Sequence, residues 1–341
     1  MRNTLRGLAR LAFVFLLLEV PIALAQTPMK ITLASPGPGS YSYFPIDLVK
    51  KIGADLAEGV DLEIRYQSGG PLAAKELVNG NTDFAALGMS ALATFHNDGK
   101  DVRSIVTVSR SPTYILSVRS ELRQNVRKVA DLKSRVVGVH SGGRNNKSTS
   151  RQLVEYMLNQ AGVDPDSVNF LPAGQNFEEQ RASLLSGTID ALMGEEPFTS
   201  RLQAEGLVYV LTDLHDTKAA KQALGGPLLY VQIATRNSLL QQQPEKVKRM
   251  VAVMRRTLLW IYNHSPDEIA NLLGGNDLQR KREISLFLAR SKSAFSPDGM
   301  FRREEVSTVE QFFRNVYSDD PKSRNLRMTD LIDARYAGWR E

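Results

Sequence analysis

A chain of 341 residues, 42% hydrophobic and 23% charged, is long enough for two domains with cores of ordinary size. It contains no cysteine, which excludes disulfides, thiolate catalysis and cysteine-ligated zinc or iron–sulfur centres. The net charge of +6 includes +2 from residues 1–25 (Arg2, Arg6 and Arg10 against Glu19), and the remaining surplus, spread over more than 300 residues, does not make a nucleic-acid surface.

In residues 1–25 three arginines precede the apolar run 11–18, and Ala23-Leu24-Ala25 follows. A basic region, a short apolar run and an A-x-A site read as a secretory signal peptide cut before Gln26. The run is about half of the ~20 residues that span a membrane, and Glu19 and Pro21 interrupt it. No cysteine follows to carry a lipid anchor. The mature chain is therefore expected to be soluble and exported, in a bacterium to the periplasm.

Beyond this segment, short apolar runs alternate with stretches of helical period. Residues 30–34 (KITLA) read as a strand, 35–40 as a Pro/Gly-rich turn and 44–56 as an amphipathic helix. Strands at 61–66 and 84–87 flank a helix at 72–78, and strands at 103–108, 114–118 and 135–139 follow. A helix at 148–160, a strand at 168–171, a helix at 177–185 and a strand at 189–192 come next, and 230–234 reads as a returning strand. Strands separated by helical segments of about ten or more residues imply βαβ units and parallel sheets. The last third is helical. Val247, Met250, Val251, Met254, Leu258 and Ile261 form one apolar stripe, and Ser265, Pro266 and Glu268 spell the capping box of the next helix.

The pattern L-x-x-G-x-x-D occurs at Leu77–Gly80–Asp83 and again, 107 residues later, at Leu184–Gly187–Asp190. Each copy ends a helix on a glycine and enters an apolar strand, and each follows a strand and a glycine-containing loop. The shared context points to two similar α/β lobes.

The four histidines, His96, His140, His215 and His264, lie at least 44 residues apart, so no local histidine metal site exists. Neither G-x-S-x-G, G-x-x-x-x-G-K-[ST] nor G-x-G-x-x-G is present. No metal or cofactor is expected. The chain does offer four strand-to-helix loops rich in small and polar residues, at 35–43, 68–71, 88–90 and 140–146. At the carboxyl ends of parallel strands such loops form a ligand crevice, and the helix starts behind them favour an anion. Candidate contacts are Ser40, Tyr41 and Tyr43, then Ser68, Gly69 and Gly70, then Gly88, Met89 and Ser90, then His140, Ser141, Gly143, Arg144 and Asn145. Arg144 supplies a guanidinium able to grip a carboxylate, sulfonate or phosphate at two points.

Each loop taken alone also fits an ordinary helix-capping turn. Tyr41 and Tyr43 either wall a ligand or staple the first helix to its sheet. Glu195 and Glu196 either accept hydrogen bonds from a ligand or charge-cap the next helix. Arg110, at the hand-over between the lobes, either reaches the crevice or is a solvated hinge charge. An enzyme would need a titratable pair, and Glu195 or Glu196 with His140 is the candidate.

Several stretches resemble one family. Residues 129–139 (VADLKSRVVGV) resemble the entry to the second lobe of periplasmic substrate-binding proteins of the NMT1/THI5-like group, which serve ABC importers for nitrate, sulfonates, taurine and thiamine precursors. Residues 184–192 with Glu196-Pro197-Phe198 are similar to that family's "L..G.vDA....EP" stretch. Ser68-Gly69-Gly70 with residues 77–85 and Gly88 resembles its "SG…L..G..DfA..G" element, and Phe295-Ser296-Pro297-Asp298-Gly299 its late "YSPDG". The similarity runs from Lys30 to Trp339. The family's pyrimidine-synthesising relatives use a cysteine cluster, which this chain lacks.

The resemblance implies an α/β, two-lobed type 2 periplasmic binding protein, each lobe a mostly parallel sheet flanked by helices and joined by two hinge crossovers. Expected boundaries are 1–25 for the signal peptide, 30–113 plus 234–341 for lobe one, and 114–233 for lobe two, with crossovers near 112–114 and 233–235. The expected role is capture, without turnover, of a small organic anion in the interlobe cleft, by a monomer that hands it to an inner-membrane permease. A TAXI-type receptor of a TRAP carrier, suggested by the Gly-rich opening turn, is the alternative transporter. A pyrimidine or thiamine-precursor receptor and a secreted enzyme are the other readings.

Overall fold

Ile31, Leu33 and Ala34 are fully buried on β1 (Met29–Pro36), which opens a computed structural model describing residues 27–37, 39–67, 69–140, 147–174 and 176–341. The expected signal peptide and the candidates Ser68, Ser141, Gly143, Arg144 and Asn145 lie outside the described residues. The helix expected over 44–56 is two helices, α1 (Phe44–Lys51) and α2 (Ala54–Ala57). Gly53 between them takes φ +66°, a left-handed conformation that ends a helix.

β2 (Val60–Gln67), α3 (Gly70–Val78), β3 (Phe84–Gly88), α4 (Met89–Asn97) and β4 (Val102–Thr107) complete the first stretch. The chain then crosses into β5 (Tyr114–Arg119), β6 (Val136–Val139), α5 (Thr149–Gln160), β7 (Asn169–Pro172), α6 (Phe177–Leu185), β8 (Ala191–Glu195), α7 (Phe198–Ala204), β9 (Val208–Asp213) and α8 (Thr217–Leu224). It returns as β10 (Val231–Arg236) and continues through α9 (Asn237–Gln242), α10 (Pro244–Asn263), α11 (Pro266–Gly274), α12 (Leu278–Ser291), α13 (Arg303–Val316) and α14 (Pro321–Asn325). Ser265 and Glu268 form the capping box of α11.

Two five-stranded sheets result, ordered β2-β1-β3-β10-β4 and β7-β6-β8-β5-β9. In each, three parallel strands are followed by one antiparallel strand, β10 in the first lobe and β5 in the second. Those two are the strands that have just crossed from the other lobe. The crossovers, 109–113 and 225–230, are bonded to each other. Leu228 N–H donates to the Arg110 carbonyl at 2.9 Å, and Tyr230 N–H to that of Ser109 at 3.1 Å. The second crossover therefore lies earlier than the expected 233–235, and residues 231–233 leave the second lobe. Val231 to Thr235 already pair with β3, where the apolar run is buried.

The repeated motif has the same structural use twice. Gly80 (φ +82°) and Gly187 (φ +69°) turn the chain out of α3 and α6. The aspartate then ties the turn to the neighbouring parallel strand, β1 in the first lobe and β6 in the second. Thr32 N–H donates to Asp83 Oδ2 at 3.0 Å while Asp83 N–H donates back to the Thr32 carbonyl at 3.2 Å. Val136 N–H and Asp190 Oδ2 (3.0 Å), with Asp190 N–H and the Val136 carbonyl (2.8 Å), repeat the arrangement.

The C-terminal helices belong to the first lobe yet reach the second. Tyr156 of α5 packs on Phe312 of α13 with ring centroids 5.1 Å apart, and Asn159 bonds Asn315 at 2.9 Å. Among the described residues no helix is long and apolar enough to cross a membrane.

Gly138 of β6 tests this packing. A Cβ there would lie 2.7 Å from Ile189 Cδ1 and 2.9 Å from Ala173 Cβ. Gly138→Ala is expected to cost about 1–3 kcal/mol, read as a lower urea midpoint at unchanged slope. An unmoved midpoint would contradict this seating of the second sheet.

Candidate functional site

Both sheets end their parallel strands toward the same gap, and a cavity of about 800 Å³ lies there. Six strand-to-helix loops line it, three from each lobe. The first lobe contributes Ser40 and Tyr43 after β1, Gly69 and Gly70 after β2, and Gly88 after β3. The second contributes His140 and Ser148 after β6, Gly174 and Asn176 after β7, and Glu195 and Phe198 after β8. Because the lobes share a topology, equivalent loops face each other across the gap, as expected for crevices outside strand carboxyl ends. The lobes come close there: a Cβ added at Gly88 would lie at ordinary contact distance, 3.5 Å, from Thr149 Oγ1.

Tyr43, Tyr114 and Tyr230 wall the floor, all three buried. The Tyr230 hydroxyl donates to that of Tyr114 at 3.3 Å. Burial pushes all three phenols well above their ordinary value, and the negative charge of Glu195 adds to it. Glu195 Oε2 accepts hydrogen bonds from Ser40 and Ser42, both at 2.9 Å. Ser42 also bonds Thr113 on the first crossover.

His140 lies against Tyr114, ring centroids 5.4 Å apart, with Nε2 3.9 Å from Glu195 Oε1. That nitrogen is buried and has no hydrogen-bond partner among the described residues. Its backbone N–H donates to Ser150 Oγ at 2.9 Å. Burial holds the imidazole below its ordinary 6.5, against the opposing pull of Glu195.

Charge in the described cleft is mixed. Lys147 lines it, yet its ammonium is taken by Glu155 at 2.6 Å and by the Val316 carbonyl at 3.2 Å. Glu179 lies at the exposed rim. Beside it Gly174 takes φ +77°, the left-handed region that favours glycine. The starts of α3 and α5 add partial positive charge from opposite lobes. Among the described residues no group of three or more His, Asp or Glu is placed to hold a metal ion.

Of the described candidates, Ser40, Tyr43, Gly69, Gly70, Gly88, His140 and Glu195 come together at the cavity. Four do not line it. Tyr41 packs on Phe287, ring centroids 4.8 Å apart, in a separate core with Phe44, and so staples α1 to the C-terminal helices. Met89 and Ser90 are buried in the first turn of α4, where Met89 N–H donates to the Tyr230 carbonyl at 2.8 Å. Arg110 pairs with buried Glu305 of α13 and ties the crossover to that helix. Of the two acids at the end of β8, Glu196 takes the capping role. Its Oε2 accepts from Ser200 N–H at 3.2 Å. Sequence reasoning missed Tyr114 and Tyr230, whose signal was a tyrosine at the far end of each crossover, and it missed Gly174 and Asn176, already visible as the loop preceding the second copy of the motif.

The NMT1/THI5-like family model matches residues 56–269, well over half of the chain. The chain belongs to the NMT1/THI5-like family. YtlA of Bacillus subtilis (strain 168), described as a binding protein, is 20% identical over 272 residues, which are 78% of this chain and 77% of its own. A solved Bordetella bronchiseptica RB50 protein superposes with a TM-score of 0.79 at 22% identity, covering 91% of this chain and 96% of that one. The alkanesulfonate-binding protein SsuA from Xanthomonas axonopodis pv. citri, solved with MOPS bound, superposes at 0.70 and 15% identity, covering 90% and 99%. This NMT1/THI5-like chain therefore has the two-lobed periplasmic binding protein fold.

The buried imidazole makes stability depend on pH. Below about pH 6.5 the unfolded chain binds a proton that the folded His140 refuses, so stability falls as pH drops through that value. Denaturation between about pH 7.5 and 5.5 should show a steeper loss for the wild type than for His140→Gln. Equal losses would contradict a neutral buried ring.

Proposed function

We propose that the chain is an extracytoplasmic solute receptor that captures a small organic anion, a carboxylate or sulfonate, between its lobes and delivers it unaltered to the permease of an ABC importer. The observation that carries this reading is the cavity of about 800 Å³ lined from both lobes by loops at strand carboxyl ends. A solute touching both lobes stabilises the closed arrangement over the open one, so binding shifts the population toward closure. Micromolar affinity corresponds to roughly −8 kcal/mol, within reach of a few charge-assisted hydrogen bonds plus an aromatic wall.

The opposed starts of α3 and α5 support an anionic head, and the tyrosines support an apolar body against them. The alkanesulfonate named for SsuA agrees with that class. The expected signal peptide supports a periplasmic location, and a cleft complete within one chain supports a monomer. A second reading rests on Glu195 and Glu179. Two carboxylates facing a cleft whose described lysine is already paired favour a solute that presents N–H donors, such as an aminated pyrimidine.

A thermal-shift and calorimetric panel of small carboxylates, alkanesulfonates and aminopyrimidines tests this. At about 100 times Kd the matching anion should raise Tm by roughly 5–10 °C. Stabilisation by pyrimidines alone would replace the anion with the second reading. Recovery of a chemically converted solute would overturn the receptor.

A further inference from the structure

We propose that Glu195 and Glu196, neighbours at the end of β8, form a two-armed latch that holds the lobes together before any solute enters. The two carboxylates leave the strand end in different directions, and each grips a different part of the first lobe.

The inner arm is Glu195, whose Oε2 receives the Ser40 and Ser42 hydroxyls at 2.9 Å each. Both serines sit on the loop between β1 and α1, the loop that also carries Tyr43 into the cleft. Glu195 in turn is placed by the sheet, opposite Tyr114 in the β5–β8 register. A carboxylate oxygen held by two hydroxyls is a charge-assisted arrangement, stronger than neutral hydrogen bonds.

The outer arm is Glu196, 2% exposed, whose Oε1 pairs with Arg290 Nη2 at 3.1 Å. Arg290 is on α12, and the same helix receives two further contacts from the second lobe. Arg201 of α7 forms a two-point pair with Glu283 at 3.0 and 2.6 Å, and His215 meets the ring of Phe287 with centroids 5.6 Å apart. Glu283, Phe287 and Arg290 follow i, i+4, i+7, so one face of α12 is the docking face for the second lobe. The α5–α13 contact, where Tyr156 meets Phe312 and Asn159 bonds Asn315, is left intact and serves as a pivot.

None of these bonds uses a solute atom, so the closed arrangement is favoured in the free protein. On the receptor reading, this pre-organisation tightens apparent affinity, because less of the binding energy goes into closing the lobes. The outer arm's guanidiniums are partly exposed, Arg290 52% and Arg201 38%, so salt weakens that arm more than the inner one.

The chain has no cysteine, so Lys75→Cys on α3 and Glu178→Cys on α6 give a pair of spin labels, one per lobe, at exposed sites. Distance distributions are recorded on the ligand-free full chain carrying Ser40→Ala/Ser42→Ala, Arg290→Ala, all three together, or Glu195→Gln. The expected result is one short distance in the wild type, and a closed-to-open ratio about tenfold lower or more in the triple variant. Glu195→Gln, which keeps an acceptor oxygen but loses the charge, should fall between the wild type and the Ser40→Ala/Ser42→Ala variant. Circular dichroism melting of each variant separates opening from unfolding. A long distance in the ligand-free wild type, or a triple variant that folds and superposes on the wild type, would overturn the latch. Neither outcome depends on finding a solute, so this proposal and the receptor reading fail separately.

Discussion

A strand that crosses from one lobe into the other enters its new sheet from the end where the parallel strands finish, and must run antiparallel to them. That constraint places β5 and β10, and it brings the two crossovers side by side, bonded from Leu228 to Arg110 and from Tyr230 to Ser109. Both sheets are thereby held with their strand carboxyl ends facing one gap. Everything proposed about function depends on this arrangement, because the loops at those ends are where helix starts, small residues and open backbone groups accumulate. The tyrosines nearest the crossovers, Tyr114 and Tyr230, become the floor of the gap for the same reason.

The chemistry of the floor follows from burial. Three phenols, an imidazole and a carboxylate share a volume from which much of the solvent is excluded, so the phenols stay protonated and the imidazole stays neutral. Glu195 is the charge in that group, and two serine hydroxyls from the opposite lobe donate to it. Among the described residues lining the cleft, the basic one that could have balanced it, Lys147, is turned to Glu155 and to the end of α13. Positive potential in the described cleft therefore comes chiefly from the backbone, at the starts of α3 and α5.

Much of the architecture was legible before any coordinates. Apolar runs marked the parallel strands, the capping box at Ser265 marked the start of α11, and the doubled L-x-x-G-x-x-D marked two like lobes. The aspartate of that motif has a physical role that the pattern alone did not show, a reciprocal pairing of its carboxylate and N–H with the backbone of the neighbouring parallel strand. The errors had local causes. Gly53 sits inside a helical period, so its left-handed φ was invisible to pattern. Residues 231–233 (Val-Gln-Ile) continue one strand-like run across the lobe boundary, and only pairing with β3 assigns them.

Sequence by itself determined the class of many segments, though not of α7, β9 and α8, and which loops were rich enough in small and polar residues to face a solute, because propensity, period and turn chemistry are properties of neighbours along the chain. Tertiary structure alone decided which side chains share the gap. Tyr41 and Tyr43 are two residues apart and part ways, one into the α12 core and one into the cleft, and Glu195 and Glu196 diverge likewise. Such choices rest on partners more than 80 residues distant, Phe287 for Tyr41 and Arg290 for Glu196. No local pattern encodes a partner that only the closing of the two sheets brings within reach.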